Sequence, residues 1–405
     1  IDIEVLDENS EKTAVNRHIM SVLPAEKRNS ALFVQLGSGN INIYVMENSK
    51  MVDTYSLKIG GLRINELFEE SLDSPKDYVQ VIREYLTPFF ETLSDAIPEK
   101  LSQCIVSGNE IQTIASMCNA TNSLDFSIME RTAFTKMYKK AKEKGTEAIS
   151  MEYDIPQEEV EVLLPSLIVL NRLLKYTVND SILLSNVLLS DAVMFEMLFP
   201  KEASFVVKAY EDFTLQSATS IAERFGRDIG HISRVSSVAL EIYDKMKKLH
   251  GYKSRERTLL QVSAILQDIG KYVNVKNHAL LSYNTITNLD IVGINDHERL
   301  IIATVCYYHN GNIPSMDSPI YNQLSQEDRV MVSKLAAILQ ISNAINTSHS
   351  PKFEQVSVNM KNGKLNIYLT TLKNINLEKW AFIAKSKLFR EVYGLNATII
   401  KRGVL

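Results

Sequence analysis

Residues 31–45, ALFVQLGSGNINIYV, carry the clearest pattern in the chain. An apolar run reaches Gly37-Ser38-Gly39-Asn40, and strict alternation follows through Ile41, Ile43 and Val45, with Asn42 and Tyr44 on the other face. A period of two on both sides of a glycine turn predicts strand, tight turn, strand. Glycines there serve an ordinary hairpin equally well as a ligand that must approach backbone N–H groups closely. Two later stretches repeat the theme. Residues 56–68, SLKIGGLRINELF, read as a strand that ends in Gly60-Gly61 and opens, with Arg63, an amphipathic helix. Residues 103–115, QCIVSGNEIQTIA, read as a third strand that ends at Gly108 and opens another helix.

Elsewhere the pattern alternates between periods. Residues 1–6 alternate as a strand, and 7–23 read as a helix that starts at DENSE. A polar connector follows at 24–30, then an amphipathic helix at 75–93 that Pro88 breaks or kinks. Residues 124–144 read as helical, their basic end KMYKKAKEK a solvated face. Residues 156–174 predict a helix containing Pro165, and 182–198 a strand and turn. From 200 to 225 the chain turns helical, and 226–345 reads as a mostly α bundle. Residues 353–370 alternate around Asn362-Gly363 as a hairpin, followed by a helix at 377–393 and a last strand at 396–401.

A length of 405 residues is enough for several domains with real cores. A hydrophobic content of 45% with 23% charged residues places the chain among ordinary globular proteins. The net charge of −4 gives no global nucleic-acid footprint, so nucleic acid is excluded as a partner class. Cys104, Cys118 and Cys306 form no CxxC or disulfide pattern, which fits a reducing, cytoplasmic location. No apolar run is long enough for a membrane span, and no signal peptide is visible.

The three glycine segments resemble the Ppx/GppA family of exopolyphosphatases and guanosine pentaphosphate phosphohydrolases, whose fold is actin/hexokinase-like. The family's signatures read D-I-G-G-G-S-T-E-L, then S-L-x-x-G-x-x-R, then G-G-T-x-x-x-x-A. Gly37, Gly39, Gly60, Arg63, Gly108 and Ala115 fall on matching positions. The resemblance implies that Gly37, Ser38, Gly39, Asn40, Gly60, Gly61, Arg63 and Gly108 bind phosphate. It also exposes departures. Gln35 stands where the family has its first Asp, Asn42 where it has Glu, and Asn109-Glu110 where it has Gly-Thr. An amide keeps hydrogen bonds but neither holds Mg²⁺ strongly nor takes a proton from water, and Glu110 would set a negative charge against phosphate. Glu11 matches the acid thought to activate the catalytic water, and a solvated first-turn Glu is the plain alternative. The upstream loop D-x-G-S-N-S is absent, and Ser190-Asp191-Ala192 replaces Arg-Glu-Gly.

The helical region resembles an HD domain, with the pattern H…HD…A-D-A-L-D. His231 and Asp268 match metal ligands, whereas Gln267 and Asn343 replace a His and an Asp; Asn346 replaces another Asp, and Leu281 falls where some members have a further His. One His and one Asp beside two neutral amides predict no tightly bound metal there. His278, His297 and His309 read as ordinary surface or core histidines, with His309 placed toward an interdomain groove.

The expected architecture is therefore α/β with actin/hexokinase-like, ribonuclease H-like lobes, then an all-α HD-like bundle and a small α/β C-terminal domain. Its domains are 1–25 as the end of a first lobe, 26–199 as the second lobe, 200–345 as the HD-like domain and 346–405 as the C-terminal domain. The expected function is action on, or binding of, inorganic polyphosphate or (p)ppGpp (guanosine penta- or tetraphosphate), with phosphoanhydride hydrolysis weak or lost. An active exopolyphosphatase or pppGpp phosphohydrolase using Mg²⁺, and a non-catalytic regulatory protein, are the competing readings. The resemblance further implies a homodimer. A basic arc of Arg227, Arg234, Lys245, Lys247, Lys248, Lys253, Arg255, Arg257, Lys271 and Lys276 offers a polyanion surface or a solvated helical face.

Overall fold

Strand β1 (Ser30–Leu36) is buried on both faces beyond its first residue, as its nearly unbroken apolar run requires of a central strand. It pairs antiparallel with β2 (Ile41–Glu47), which pairs antiparallel with β3 (Lys50–Leu57). On its other side β1 runs parallel to β4 (Gln103–Gly108). With β5 (Thr121–Asn122), β6 (Phe126–Glu130) and β7 (Ser181–Ser185), these strands form one seven-stranded sheet in the order β3-β2-β1-β4-β7-β6-β5. This mixed α/β sheet is the first half of the expected architecture. The structure is a computed structural model that describes residues 8–37, 39–57, 59–68, 75–97, 100–361 and 363–403. The strand expected at 1–6 and the Ser38 position lie outside those residues.

By contacts the chain divides into two compact units, Ile1–Phe213 and Thr214–Leu405. In the first, Leu32, Val34, Leu36, Ile41, Ile43 and Val45 share a core with Val79, Ile82, Phe134, Leu163 and Leu167 from the helices Pro75–Tyr85, Arg131–Tyr153 and Gln157–Leu173. The opposite face carries Phe33, Gln35, Asn42 and Tyr44 and is met by the helix Glu8–Val22 through Asn16. Pro88 does end a helix, dividing Pro75–Tyr85 from Thr87–Ala96. The helix expected from 124 begins instead at Arg131, because Phe126–Glu130 hydrogen-bonds to β7 as an antiparallel strand. The Arg131 guanidinium fixes that junction by donating to the carbonyls of Leu174, Thr177 and Asn179.

In the second unit the helices Ile229–Lys245, Ser254–Leu266, Asp296–Tyr308 and Gln326–Ile345 bury Val235, Val262, Ile302 and Leu335 in one core. The hairpin β8 (Gln355–Lys361) and β9 (Lys364–Thr370) turns at Gly363, with φ +67°. Strand β10 (Asn396–Arg402) joins β9 in parallel. Val358, Leu365, Ile367 and Phe389, the last from the helix Asn376–Tyr393, belong to the same core as the bundle. Among the described residues no helix is long and apolar enough to cross a membrane.

Candidate functional site

The parallel strands β1, β4 and β7 end on one edge of the first sheet, the edge where open α/β sheets hold ligands. Leu36 lies opposite Gly108 in that register, so the first and third glycine segments are neighbours. Gly108 has φ +147°, and a Cβ there would stand 2.2 Å from the Leu36 carbonyl oxygen, so only glycine lets the two strand ends close. The second segment joins them where the Gly61 amide donates to the Gly37 carbonyl at 3.3 Å. Gly37 N donates to Asn40 O at 2.8 Å, closing the turn. The fold thus brings together Gly37, Gly39, Asn40, Gly60, Gly61 and Gly108, although the Gly37 and Gly61 amides already serve these internal bonds. Arg63 is exposed on the helix Gly61–Phe68.

The positions of the two replaced acids also meet. Gln35 and Asn42 are opposite each other across β1 and β2, both buried, with Asn42 Nδ2 3.5 Å from Gln35 Oε1. Asn16 completes the group: its Nδ2 donates to Gln35 Oε1 at 3.2 Å and to Tyr44 Oη at 3.0 Å. Tyr210 hydrogen-bonds the Asn16 side chain, and burial pushes its phenol up. Glu11, by contrast, is exposed on the same helix. Asn16, not Glu11, is the residue by which this helix reaches the replaced acids. A sequence signal for Asn16 existed: it falls in helical register with buried Ile19, Met20 and Leu23.

Glu110 does not present the exposed negative charge expected of it. Its side chain is buried and Oε2 has no hydrogen-bond partner. Burial raises its pKa, its own backbone N–H opposes this, and Glu159 adds to the rise. Ser107, three positions earlier on β4, is also buried with an unpartnered hydroxyl. Asp191 uses its carboxylate to cap its own helix, accepting from Leu188 N at 2.8 Å.

In the second unit the structure gathers more ligand atoms around Asp268 than the motif pattern implied. His309 Nε2 lies 3.2 Å and His278 Nε2 3.6 Å from Asp268 Oδ1, while His231 Nε2 lies 3.9 Å from Oδ2. His278 and His309 are therefore not isolated histidines, and His309 is buried in the bundle. The count of one His and one Asp, on which the expectation of no metal rested, becomes three His and one Asp. His297 stands apart, its ring mostly exposed and paired with Asp328 at 2.9 Å. Lys271 Nζ donates to Asp268 Oδ2 at 2.7 Å. Burial opposes charge on Asp268, but the His309 ring and the Lys271 ammonium outweigh it and hold the carboxyl well below the usual carboxylate range. Burial, then the stacked His349 ring, pushes His231 down to about 4. Gln267 is buried with both side-chain polar atoms unpartnered, and Asn343 is buried on the helix Gln326–Ile345.

The basic arc is partly neutralised. Arg255 pairs with Glu298, Arg257 with Asp244 at 2.9 Å, Arg234 with Asp228 at 3.9 Å and Lys271 with Asp268. Lys245, Lys247 and Lys248 remain exposed.

A strand edge of three glycine segments on a mixed sheet, followed by a helical bundle, defines the class as the resemblance implied. Comparison with known families agrees: the model for the Ppx/GppA phosphatase family matches residues 1–200, and that for Ppx/GppA phosphatase domain III matches residues 215–388. The chain belongs to the Ppx/GppA phosphatase family. A guanosine-5'-triphosphate,3'-diphosphate pyrophosphatase of Photobacterium profundum is 20% identical over 322 residues, 76% of this chain. The chain spans 60% of that relative's length. Among solved structures, an exopolyphosphatase from Cytophaga hutchinsonii ATCC 33406 is 19% identical, with a TM-score of 0.42 over 49% of this chain and 66% of that one. An Aquifex aeolicus Ppx/GppA family member is 17% identical, with a TM-score of 0.41 over 50% and 66%.

Proposed function

We propose that this protein binds inorganic polyphosphate or a guanosine penta- or tetraphosphate at the glycine-lined edge of its first sheet and hydrolyses it weakly or not at all. Family membership supports the ligand class. The amide cluster supports the loss of turnover and is the observation that carries the proposal. At the two positions where the family's acids would stand, Gln35 and Asn42 are buried and within reach of each other and of Asn16. The family implies a divalent ion, and this donor set fits Mg²⁺ poorly: two neutral amide oxygens replace two carboxylates, so the charge that holds the ion is gone, and Gln35 Oε1 already accepts from Asn16. An active phosphohydrolase is the competing reading, and Glu11 is the residue that would have to act as its base. The test pairs equilibrium binding of polyphosphate and pppGpp with phosphate release in Mg²⁺. Saturable binding without appreciable release supports the proposal; absence of binding to either ligand overturns it.

A further inference from the structure

We propose that Asp268, His278 and His309 form a binding site for one divalent transition-metal ion, with His231 outside the ligand set. One ligand atom from each of the three buried residues lies within 4.8 Å of the others. Imidazole nitrogens and carboxylate oxygens about 2.0–2.2 Å from an ion with tetrahedral geometry stand about 3.4 Å apart. The observed separations from Asp268 Oδ1, 3.2 Å to His309 and 3.6 Å to His278, bracket that value.

The proton positions distinguish the three histidines. His309 Nδ1 bonds the Cys306 carbonyl, and His278 Nδ1 bonds the Val275 carbonyl at 2.8 Å. A carbonyl only accepts, so each Nδ1 carries the proton, and in the neutral ring Nε2 presents a lone pair toward Asp268. Backbone carbonyls in this position are the usual orienting partners of metal-bound imidazoles. His231 is held the other way. Asn346 Oδ1 accepts from Arg234 Nε at 3.4 Å, which turns its Nδ2 to donate to His231 Nδ1 at 2.7 Å. The proton of neutral His231 is then on Nε2, where it cannot bind an ion.

Several buried polar atoms around Asp268 lack hydrogen-bond partners, among them His231 Nε2 and both side-chain atoms of Gln267, and two of these atoms face each other directly. His309 Nε2 and Asp268 Oδ1 are buried, 3.2 Å apart, and neither meets hydrogen-bond geometry. A bare lone pair facing a carboxylate oxygen at that distance is repulsive, and either a second proton on the His309 ring or a metal ion relieves it; metal titration separates the two. The carboxylate is held in place for this role. Lys271 occupies its other oxygen. Ser282 clamps the turn, donating to Gln267 O at 2.8 Å and accepting from Gly270 N at 2.9 Å. Gly270 lets that turn sit against the helix His278–Ile286, since a Cβ there would meet His278 O at 2.3 Å.

The experiment uses the whole chain, freed of metal with a chelator and then titrated with Zn(II) or Co(II) alone. The expected result is one equivalent bound, with Co(II) giving visible ligand-field bands. His278→Gln and His309→Gln should each weaken binding by more than about tenfold, and His231→Gln should change it by less than about threefold. Because His309 is fully buried and its variant is at risk of misfolding, imidazole ¹⁵N spectra of the unmutated protein provide a second reading. Zn(II) should move the Nε2 resonances of two histidines and leave that of His231 in place. No stoichiometric binding, binding that survives both His278→Gln and His309→Gln, or a shifted His231 Nε2 would overturn the assignment.

Discussion

Gly108 and Gly39 both sit in glycine segments, yet they carry different burdens. Gly108 combines φ +147° with a backbone oxygen 2.2 Å from any added Cβ, whereas nothing lies within 4 Å of a Cβ at Gly39. Gly108→Ala should therefore destabilise the protein by about 3 kcal/mol or more, and Gly39→Ala should stay within about 0.5 kcal/mol, both measured by denaturant unfolding. Glu110 makes a pH-dependent prediction. Its pKa is raised in the fold, so the native state holds the proton more tightly than the unfolded chain does. The stability this contributes is complete below the unfolded carboxylate pKa and is lost as pH rises through the folded value. Glu110→Gln should accordingly be more stable than the parent at pH 8, with the gap narrowing toward pH 4 in thermal melts. The glycine positions were legible in the sequence because turn chemistry is local. The burial of Glu110 was not, since it depends on how β4 and the following residues pack.

At the scale of elements, Ser282 joins two segments by donating to Gln267 O and accepting from Gly270 N. Ser282→Ala leaves that buried N–H without its partner and should cost about 1–3 kcal/mol in denaturant unfolding. Its effect on metal binding is a separate measurement. Strand and helix periods made most elements readable, from β1 and β2 to the hairpin β8–β9 and the helix Asn376–Tyr393. The strand Phe126–Glu130 was missed because five residues of alternation precede a long helix, and only pairing with β7 decides between them. Asn16 was missed for the opposite reason. Its helix is legible, but a single polar residue on an apolar stripe carries little signal beyond its register, whereas the family motif points to the exposed acid Glu11. The pairing of His278 with His309 is not legible in the sequence, since spacing along the chain does not reveal that separate segments deliver both rings to one carboxylate oxygen.

For the whole molecule, net charge and motif order gave the broad class, and charge pairing refines it. Four of the ten cations in the proposed arc have acidic partners. Any salt-sensitive contribution of this arc to polyphosphate affinity, beyond the glycine-lined edge, should therefore depend on Lys247 and Lys248. Lys247→Glu with Lys248→Glu should weaken it several-fold at low salt, with the difference shrinking as the Debye length falls below about 8 Å. Arg255→Glu should instead act on stability, because it strands Glu298. The central claim, that a phosphate-binding edge persists beside a disabled hydrolytic centre, is tested most directly by Mg²⁺-titrated phosphate release from polyphosphate. Wild type would be compared with the triple variant Gln35→Asp, Asn42→Glu, Glu110→Thr, since these changes restore the family's acids and remove the carboxyl beside Gly108. The account predicts negligible Mg²⁺-dependent release by wild type and measurable release by the triple variant. Wild-type turnover already at about 1–10³ per second, the ordinary range for enzymes, would contradict it.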